Sequence, residues 1–296
     1  MTDKNNYFIK ISKYKVNPDT NVSLKDFETD YDGKNLNKDL AAEYLEETKE
    51  KMAIIQDELY AYNKYSVLIV FQAMDAAGKD SAVKHVLSGL NPAGVKVHSF
   101  KAPSANELER NYFWRHSIVL PQRGEIGIFN RSHYENVLVT KVHPEFLLKE
   151  NLHDIKSLDD VTDKFWEKRY RQINDYERIL FENGTLILKF FLHLSSKEQK
   201  KRFEERIENP KKNWKFSPAD IEERKFWKDY QKAYEDALSK TSTEYAPWFI
   251  VPADTKWFTR LAISTIIINY MDMLKMSYPK VSEEILKKLN ELKKQL

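Results

Sequence analysis

Two hydrophobic periods alternate along this chain. From Asn37 to Tyr62 the apolar positions Leu40, Tyr44, Met52, Ile55 and Leu59 recur mostly at helical spacing, with charges between them. That pattern predicts an amphipathic helix packed on whatever follows. Ser66–Phe71 is then a short continuous apolar run rich in β-branched residues, suited to a strand buried on both faces of a parallel sheet. Further strand-like runs are Val95–Phe100, Glu125–Phe129, Thr185–Leu192 and Trp248–Val251. Helical segments are expected between them at about 80–90, 105–119, 133–142, 159–183, 196–208, 218–239 and 256–276, and a charged helix at about 281–294 closes the chain. Strands alternating with helices predict an α/β fold: a doubly wound parallel sheet covered by helices on both faces. Residues 1–35 are polar and turn-rich and read as an N-terminal arm.

Composition narrows this picture little. The 296 residues could form one large domain or two, with 42% apolar and 31% charged residues. The longest apolar stretch, Leu261–Met271, is broken by Ser264, Thr265 and Asn269 and is far shorter than the ~20 residues of a membrane span. It reads as one buried helix, and no membrane partner is expected. A net charge of +3 gives no field that would favour nucleic acid. There is no cysteine, which excludes disulfides, thiolate catalysis and Cys-ligated zinc. Met1–Lys10 has no apolar core of a secretory signal, so a cytoplasmic location is expected.

The chemistry begins directly after the first buried strand. Ala73-Met74-Asp75-Ala76-Ala77-Gly78-Lys79-Asp80-Ser81 is followed by a helical pattern at Val83, Val86, Leu87 and Leu90. Strand, small-residue turn, Gly-Lys and helix are the context of a phosphate-binding loop. A helix N-terminus presents unpaired N–H groups and partial positive charge to phosphate oxygens. Gly78 permits close backbone approach, and Lys79 adds a full charge. The usual first glycine is Ala73 here, and the hydroxyl residue after Lys is Asp80. Asp75 and Asp80 are instead two hard carboxylates that suit Mg²⁺, which favours one or two carboxylates completed by phosphate oxygens and water. The plain alternative is a capped strand–turn–helix corner with an exposed lysine.

A second constellation lies at Gly124-Glu125-Ile126-Gly127-Ile128-Phe129-Asn130-Arg131-Ser132-His133-Tyr134-Glu135-Asn136. Here a buried strand ends in polar residues at the edge of the sheet where ligands of open α/β folds bind. The place of the usual strand-end acid is taken by Asn130, so acidic work falls to Asp75, Asp80 or Glu135. The planar fork of Arg131 can clamp phosphoryl oxygens; a helix cap with surface charges is the simpler reading. Residues 197–228 concentrate positive charge, with 11 Lys/Arg against 7 Asp/Glu. Asn209-Pro210 and Ser217-Pro218 break its helices. A basic helical hairpin over bound phosphates would act as a lid, whereas a solvated helix face is what such runs usually are. The seven histidines show no metal-ligand spacing.

Taken together, these residues resemble the family-2 polyphosphate kinases over roughly residues 20–280. The likeness rests on Asp75-Ala76-Ala77-Gly78-Lys79-Asp80, Lys84-His85-Val86, Ser99-Phe100-Lys101-Ala102-Pro103-Ser104 and Trp114-Arg115. It continues in Gly127–Ser132, Val142-His143-Pro144-Glu145 and Asn213-Trp214-Lys215-Phe216-Ser217. The resemblance implies a P-loop kinase-like domain over 36–280 with a lid at about 196–228, followed by the C-terminal helix 281–296. It implies a Mg²⁺-dependent, reversible, in-line transfer of phosphate between inorganic polyphosphate and AMP or ADP, with guanine nucleotides left open. Asp75, Lys79, Asp80 and Arg131 are then the expected catalytic residues, with Asp75 and Asp80 on the metal. Ala76, Ala77, Gly78, Ser81, Lys101, Arg115, Asn130, Glu135, Asn136, Arg202, Arg206 and Arg224 are expected to bind phosphate or nucleotide. Asn136 resembles the class III subgroup, which uses both AMP and ADP; an acid there would mark ADP-preferring members. The family also implies a homo-oligomer. The rival readings are an ATP-dependent nucleoside or nucleotide kinase of the same fold, and a non-catalytic phosphate or nucleic-acid binding module.

Overall fold

The computed structural model describes residues 9–31, 33 and 36–295. In chain order the regular elements begin with α1 (Lys38–Tyr62), β1 (Ser66–Ala73), α2 (Lys79–Val86) and β2 (Val95–Ser99). Two short helices, α3 (Ala105–Leu108) and α4 (Trp114–Ser117), precede β3 (Ile126–Asn130), α5 (Glu135–Val142), α6 (Asp163–Glu182) and β4 (Thr185–His193). Then come α7 (Ser196–Glu208), α8 (Pro218–Lys225), α9 (Trp227–Thr241), β5 (Trp248–Pro252), α10 (Lys256–Asp272) and α11 (Glu283–Lys293).

All five strands lie where the apolar runs put them. They form one parallel sheet in the order β2-β3-β1-β4-β5. Every residue of β1 is buried, as a central strand covered on both faces requires. Its side chains alternate between two cores. Val67, Ile69, Phe71 and Ala73 face the core that α1, α2 and α10 cover. Leu68 and Val70 face a second core with residues from α5, α6 and α9. The same period of two sends Phe190 and Leu192 of β4 to the first core and Ile187 and Phe191 to the second.

The apolar stretch 261–271 is one helix, α10, wedged between α1 and the sheet. No helix among the described residues is long and apolar enough to cross a membrane. Three expected helices are shorter or divided. The 105–119 segment splits because Ser104 and Glu107 cap a single turn and Asn111 opens a second. The helix expected to reach residue 90 stops at Val86, ahead of Gly89 at φ 97°. The 218–239 segment breaks at Phe226. Residues 14–16 run along β5, where Val16 N–H donates to Trp248 O and Ile250 N–H to Tyr14 O, and the arm then crosses α9, where Val22 N–H donates to Ser239 Oγ and Leu24 N–H to Glu235 Oε1. Tyr14, Val16, Val22 and Leu24 are buried in doing so.

Starting from β1, the chain moves out to β2, returns to β3, and only then crosses to β4. The carboxyl ends of β1 and β3 therefore sit side by side, with Phe71 in register with Asn130. The strand order reverses at this point, which is where open α/β sheets bind ligands.

Candidate active site

After β1 the backbone turns through Ala76 at φ 62° and Gly78 at φ 100° into α2. A left-handed alanine is strained, and such outliers gather at sites where function fixes the backbone. The first turn of α2 leaves N–H groups without intrahelical partners. Lys79, half-buried, folds back so that its Nζ donates to Ala73 O at 2.9 Å. Loss of water around the ammonium pulls its pKa below the ordinary value, and Arg131 adds to this; Asp75, Glu135 and Asp80 pull the other way. A lysine whose charge is under strain gains most from an arriving anion.

The end of β3 supplies the facing half. Arg131 is also left-handed, at φ 62°, and its N–H donates to Phe71 O at 3.1 Å across the strand pair. Its Nη2 reaches Asp75 Oδ1 at 3.2 Å. Burial works against its charge, but Glu135 and Asp75 outweigh it and hold the guanidinium protonated. Asn130 Nδ2 donates to Asp80 Oδ1 at 2.6 Å. The two sequence constellations are thus tied to each other by their own side chains. Glu135 is the third carboxylate of this junction and lies against Arg131 and Lys79. Burial raises its pKa, while Arg131, Lys79 and a bond from Gln72 resist.

Two cavities meet at this junction. The larger, of about 660 Å³, is lined by residues 75–81, Lys101, Asn130, Arg131, Arg202 and Arg206, all expected at the site. It carries nine cationic side chains and three carboxylates, so it is built for a polyanion. The smaller, of about 360 Å³, is lined by Arg115, Glu135 and Asn136 from the expected set, with Phe100, Arg110, Phe146 and Lys149. Lys101 and Arg131 belong to both. Arg115 holds Lys101 in place, with Nη1 donating to Lys101 O at 3.0 Å and Nε 3.1 Å from Glu107. Asn136 anchors its own turn, donating from Nδ2 to His133 O at 3.0 Å.

Some residues are placed otherwise than expected. Arg224 lines neither cavity; it donates to Gln199 and Ser196. Arg206 faces the larger cavity but shares its charge with Asp220 at 3.4 Å. Arg202, at the cavity wall, directs its guanidinium at backbone carbonyls. The residues that sequence reasoning missed are Lys256 and Arg260, one turn apart at the start of α10. Both face the larger cavity, and Arg260 Nη2 donates to Ser81 Oγ at 3.0 Å. Their signal was present, as two cations at i and i+4 just past a strand end, but the long apolar run after them obscured it.

The donor set fits a hard divalent cation. Asp75, in the loop after β1, and Asp80, in the first turn of α2, are carboxylates lining the same cavity, and no group of three His, Cys, Asp or Glu gathers among the described residues. A cation here would therefore complete its shell from phosphate and water, the mode Mg²⁺ favours.

The sequence pattern of the family described as Polyphosphate kinase 2 (PPK2) matches residues 35–279. The chain belongs to the polyphosphate kinase 2 family. It is accordingly an enzyme, a phosphotransferase with a P-loop kinase-like fold. It is 48% identical over 288 residues to the ADP-polyphosphate phosphotransferase of Rhodopseudomonas palustris, covering 97% of this chain and 99% of that one. It is 44% identical over 273 residues to the AMP/ADP-polyphosphate phosphotransferase of Meiothermus ruber, covering 91% and 96%. The crystal structure of polyphosphate kinase 2 from Arthrobacter aurescens superposes with a TM-score of 0.85 at 34% identity, covering 95% of each chain.

Proposed function

We propose that this kinase threads polyphosphate through the larger cavity and receives AMP or ADP in the smaller one, with transfer at their junction. The observation that carries this reading is the shared wall: Lys101 and Arg131 line both cavities, beside the glycine loop. One polyanion end and one acceptor phosphate can therefore be held against the same pair of cations. Phe100 and Phe146 offer ring faces for a base in the smaller cavity, while the cationic lining of the larger asks only for charge.

The transfer follows from the positions of these groups. An oxygen of the nucleotide phosphate forms a bond to the terminal phosphorus of polyphosphate. The phosphoanhydride bond behind that phosphorus breaks, and its electron pair leaves on the shortened chain. Every group involved is anionic, so catalysis is positioning and charge neutralisation in a loose transition state. Lys79 and Arg131 supply fixed charge at the transferring group. Asp75 and Asp80 would hold Mg²⁺, which would supply positive charge to offset the repulsion between the two polyanions. Residues 196–228, with Lys212 and Lys215 facing the larger cavity, would close over the polyanion as a lid. Asn136 places no carboxylate beside the acceptor phosphate, which supports use of both AMP and ADP.

The decisive assay supplies polyphosphate and Mg²⁺ with either AMP or ADP and follows ADP and ATP formation. Phosphate transfer to both acceptors is expected. Transfer only from ATP, with polyphosphate inert, would assign the fold to a nucleotide kinase instead.

A further inference from the structure

Arg202 has five N–H groups, and every one is committed. Nε donates to Glu198 Oε1 at 2.9 Å; Nη1 donates to Ala76 O and Ala77 O at 3.0 Å each; Nη2 donates to Ala253 O at 2.8 Å and Asp254 O at 2.9 Å. The side chain is only 4% exposed. One turn earlier on α7, Gln199 is buried and donates from Nε2 to Asp75 O at 2.9 Å. Its Oε1 accepts from Arg224 Nη1 of α8 at 2.5 Å, and Arg224 Nη2 reaches Ser196 Oγ at 2.8 Å. Three consecutive carbonyls of the glycine loop, at residues 75, 76 and 77, are therefore held from one helix.

In a planar trans peptide the C=O and the next N–H point in opposite directions. Fixing the carbonyls of Asp75 and Ala77 fixes the N–H groups of Ala76 and Gly78 on the other side of the loop. The guanidinium on the carbonyls of Ala76 and Ala77 also polarises those two peptide units, making their N–H groups stronger donors. The left-handed Ala76 is held by the same guanidinium that grips its carbonyl. A free cation at the cavity wall would only add charge; this one shapes the anion-binding backbone.

We infer that Gln199 and Arg202 are positioning residues, which set the glycine loop for phosphate from behind and make its geometry depend on where α7 lies. The inference rests on the loop being the phosphate site proposed above. Because α7 opens the basic 196–228 segment, movement of that segment would be transmitted to the loop through these two side chains, braced by Arg224.

The test uses the full chain, tripolyphosphate as probe, and the variants Gln199→Ala, Arg202→Lys and Arg202→Met. Titration calorimetry reads the Kd for tripolyphosphate, a thermal melt reads folding, and steady-state kinetics separate kcat from the KM for AMP. Folded Gln199→Ala is expected to bind tripolyphosphate about tenfold more weakly, with kcat lowered to match and the KM for AMP at the wild-type value. Arg202→Lys should bind better than Arg202→Met but below wild type, since a lysine cannot fork across four carbonyls. If the Arg202 variants do not fold, Gln199→Ala decides. A lower melting temperature with tripolyphosphate binding and kcat intact would make these residues structural only and overturn the inference. So would a loss shared equally by tripolyphosphate and AMP. Failure of the wild-type chain to bind tripolyphosphate would instead sink the phosphate site itself.

Discussion

Charge is buried in two opposite ways in this chain. In the middle of the sheet, Lys189 and Glu177 form a closed cluster. Lys189 Nζ donates to Glu177 Oε2 at 2.6 Å, Tyr134 Oη at 2.8 Å and Thr241 O at 2.7 Å, which uses all three of its N–H groups. Tyr134 Oη and His133 Nε2 complete Glu177 from the other side. Burial opposes the Glu177 charge, yet Lys189 and His133 outweigh it and hold the carboxyl below its ordinary range. At the carboxyl edge of the same sheet, nine cationic side chains and only three carboxylates line one open cavity. The first arrangement is complete without a ligand, and the second is completed only by one. Balance separates a structural ion cluster from a binding site better than burial does. The two are linked, because His133 and Tyr134 stand two and three residues after Arg131 and fasten its strained turn to the core.

The largest effect should come from the open side. Lys79→Ala removes a fixed charge from the transferring phosphate and is expected to lower kcat about 10³-fold while the melt stays cooperative. A turnover within a few-fold of wild type would remove Lys79 from the mechanism. On the closed side the same logic acts on stability. Glu177→Leu strands Lys189 in the core and should cost about 3 kcal/mol in urea unfolding. Adding Lys189→Met to it should return most of that loss, since neither charge is then left alone. A single variant as stable as wild type would show that water enters the cluster and that it is not closed.

Why one side was legible in the sequence and the other only partly follows from the same contrast. The five strands and the glycine loop are local patterns: a period of two, a run of β-branched residues, and Gly-Lys at a helix start. Lys79, Arg131, Asp75 and Asp80 could be named because each lies in the loop after a strand or in the first turn of the helix that this loop starts. Lys256 and Arg260 also follow a strand, but the apolar run after them hid that signal, and which face of α10 meets the cavity is decided by packing across more than a hundred residues of chain. Arg202 looked like one more cation in a basic run. Only its surroundings turn it towards carbonyls. Lys189 sat inside an apolar strand without signalling that its partner lay on α6.

A smaller effect tests which acceptors the smaller cavity takes. Asn136→Asp would put a carboxylate on the cavity wall near Arg131 and Glu135. It is expected to lower kcat/KM for AMP relative to ADP by about tenfold, which corresponds to about 1.4 kcal/mol. An unchanged ratio of the two acceptors in a competition assay would detach residue 136 from acceptor choice.

The subtlest expectation concerns pH, and here stability and activity should run in opposite directions. Burial raises the pKa of Glu135 above its ordinary 4.5. The folded chain therefore holds this proton more tightly than the unfolded chain does. Its contribution to stability is full below 4.5 and fades as pH rises through the raised value. Activity needs the other form, because ionised Glu135 is what pulls against the strain on Lys79 and supports the charge on Arg131. The rate with polyphosphate should accordingly fall by a few-fold as pH drops through the same interval in which this group makes the protein more stable. Glu135→Gln, neutral throughout, should lose that acid limb and sit at the acid-side rate across the range. If the variant keeps the wild-type limb, the titrating group is another carboxylate, and the open site is not governed by the charge balance that sets it apart from the core.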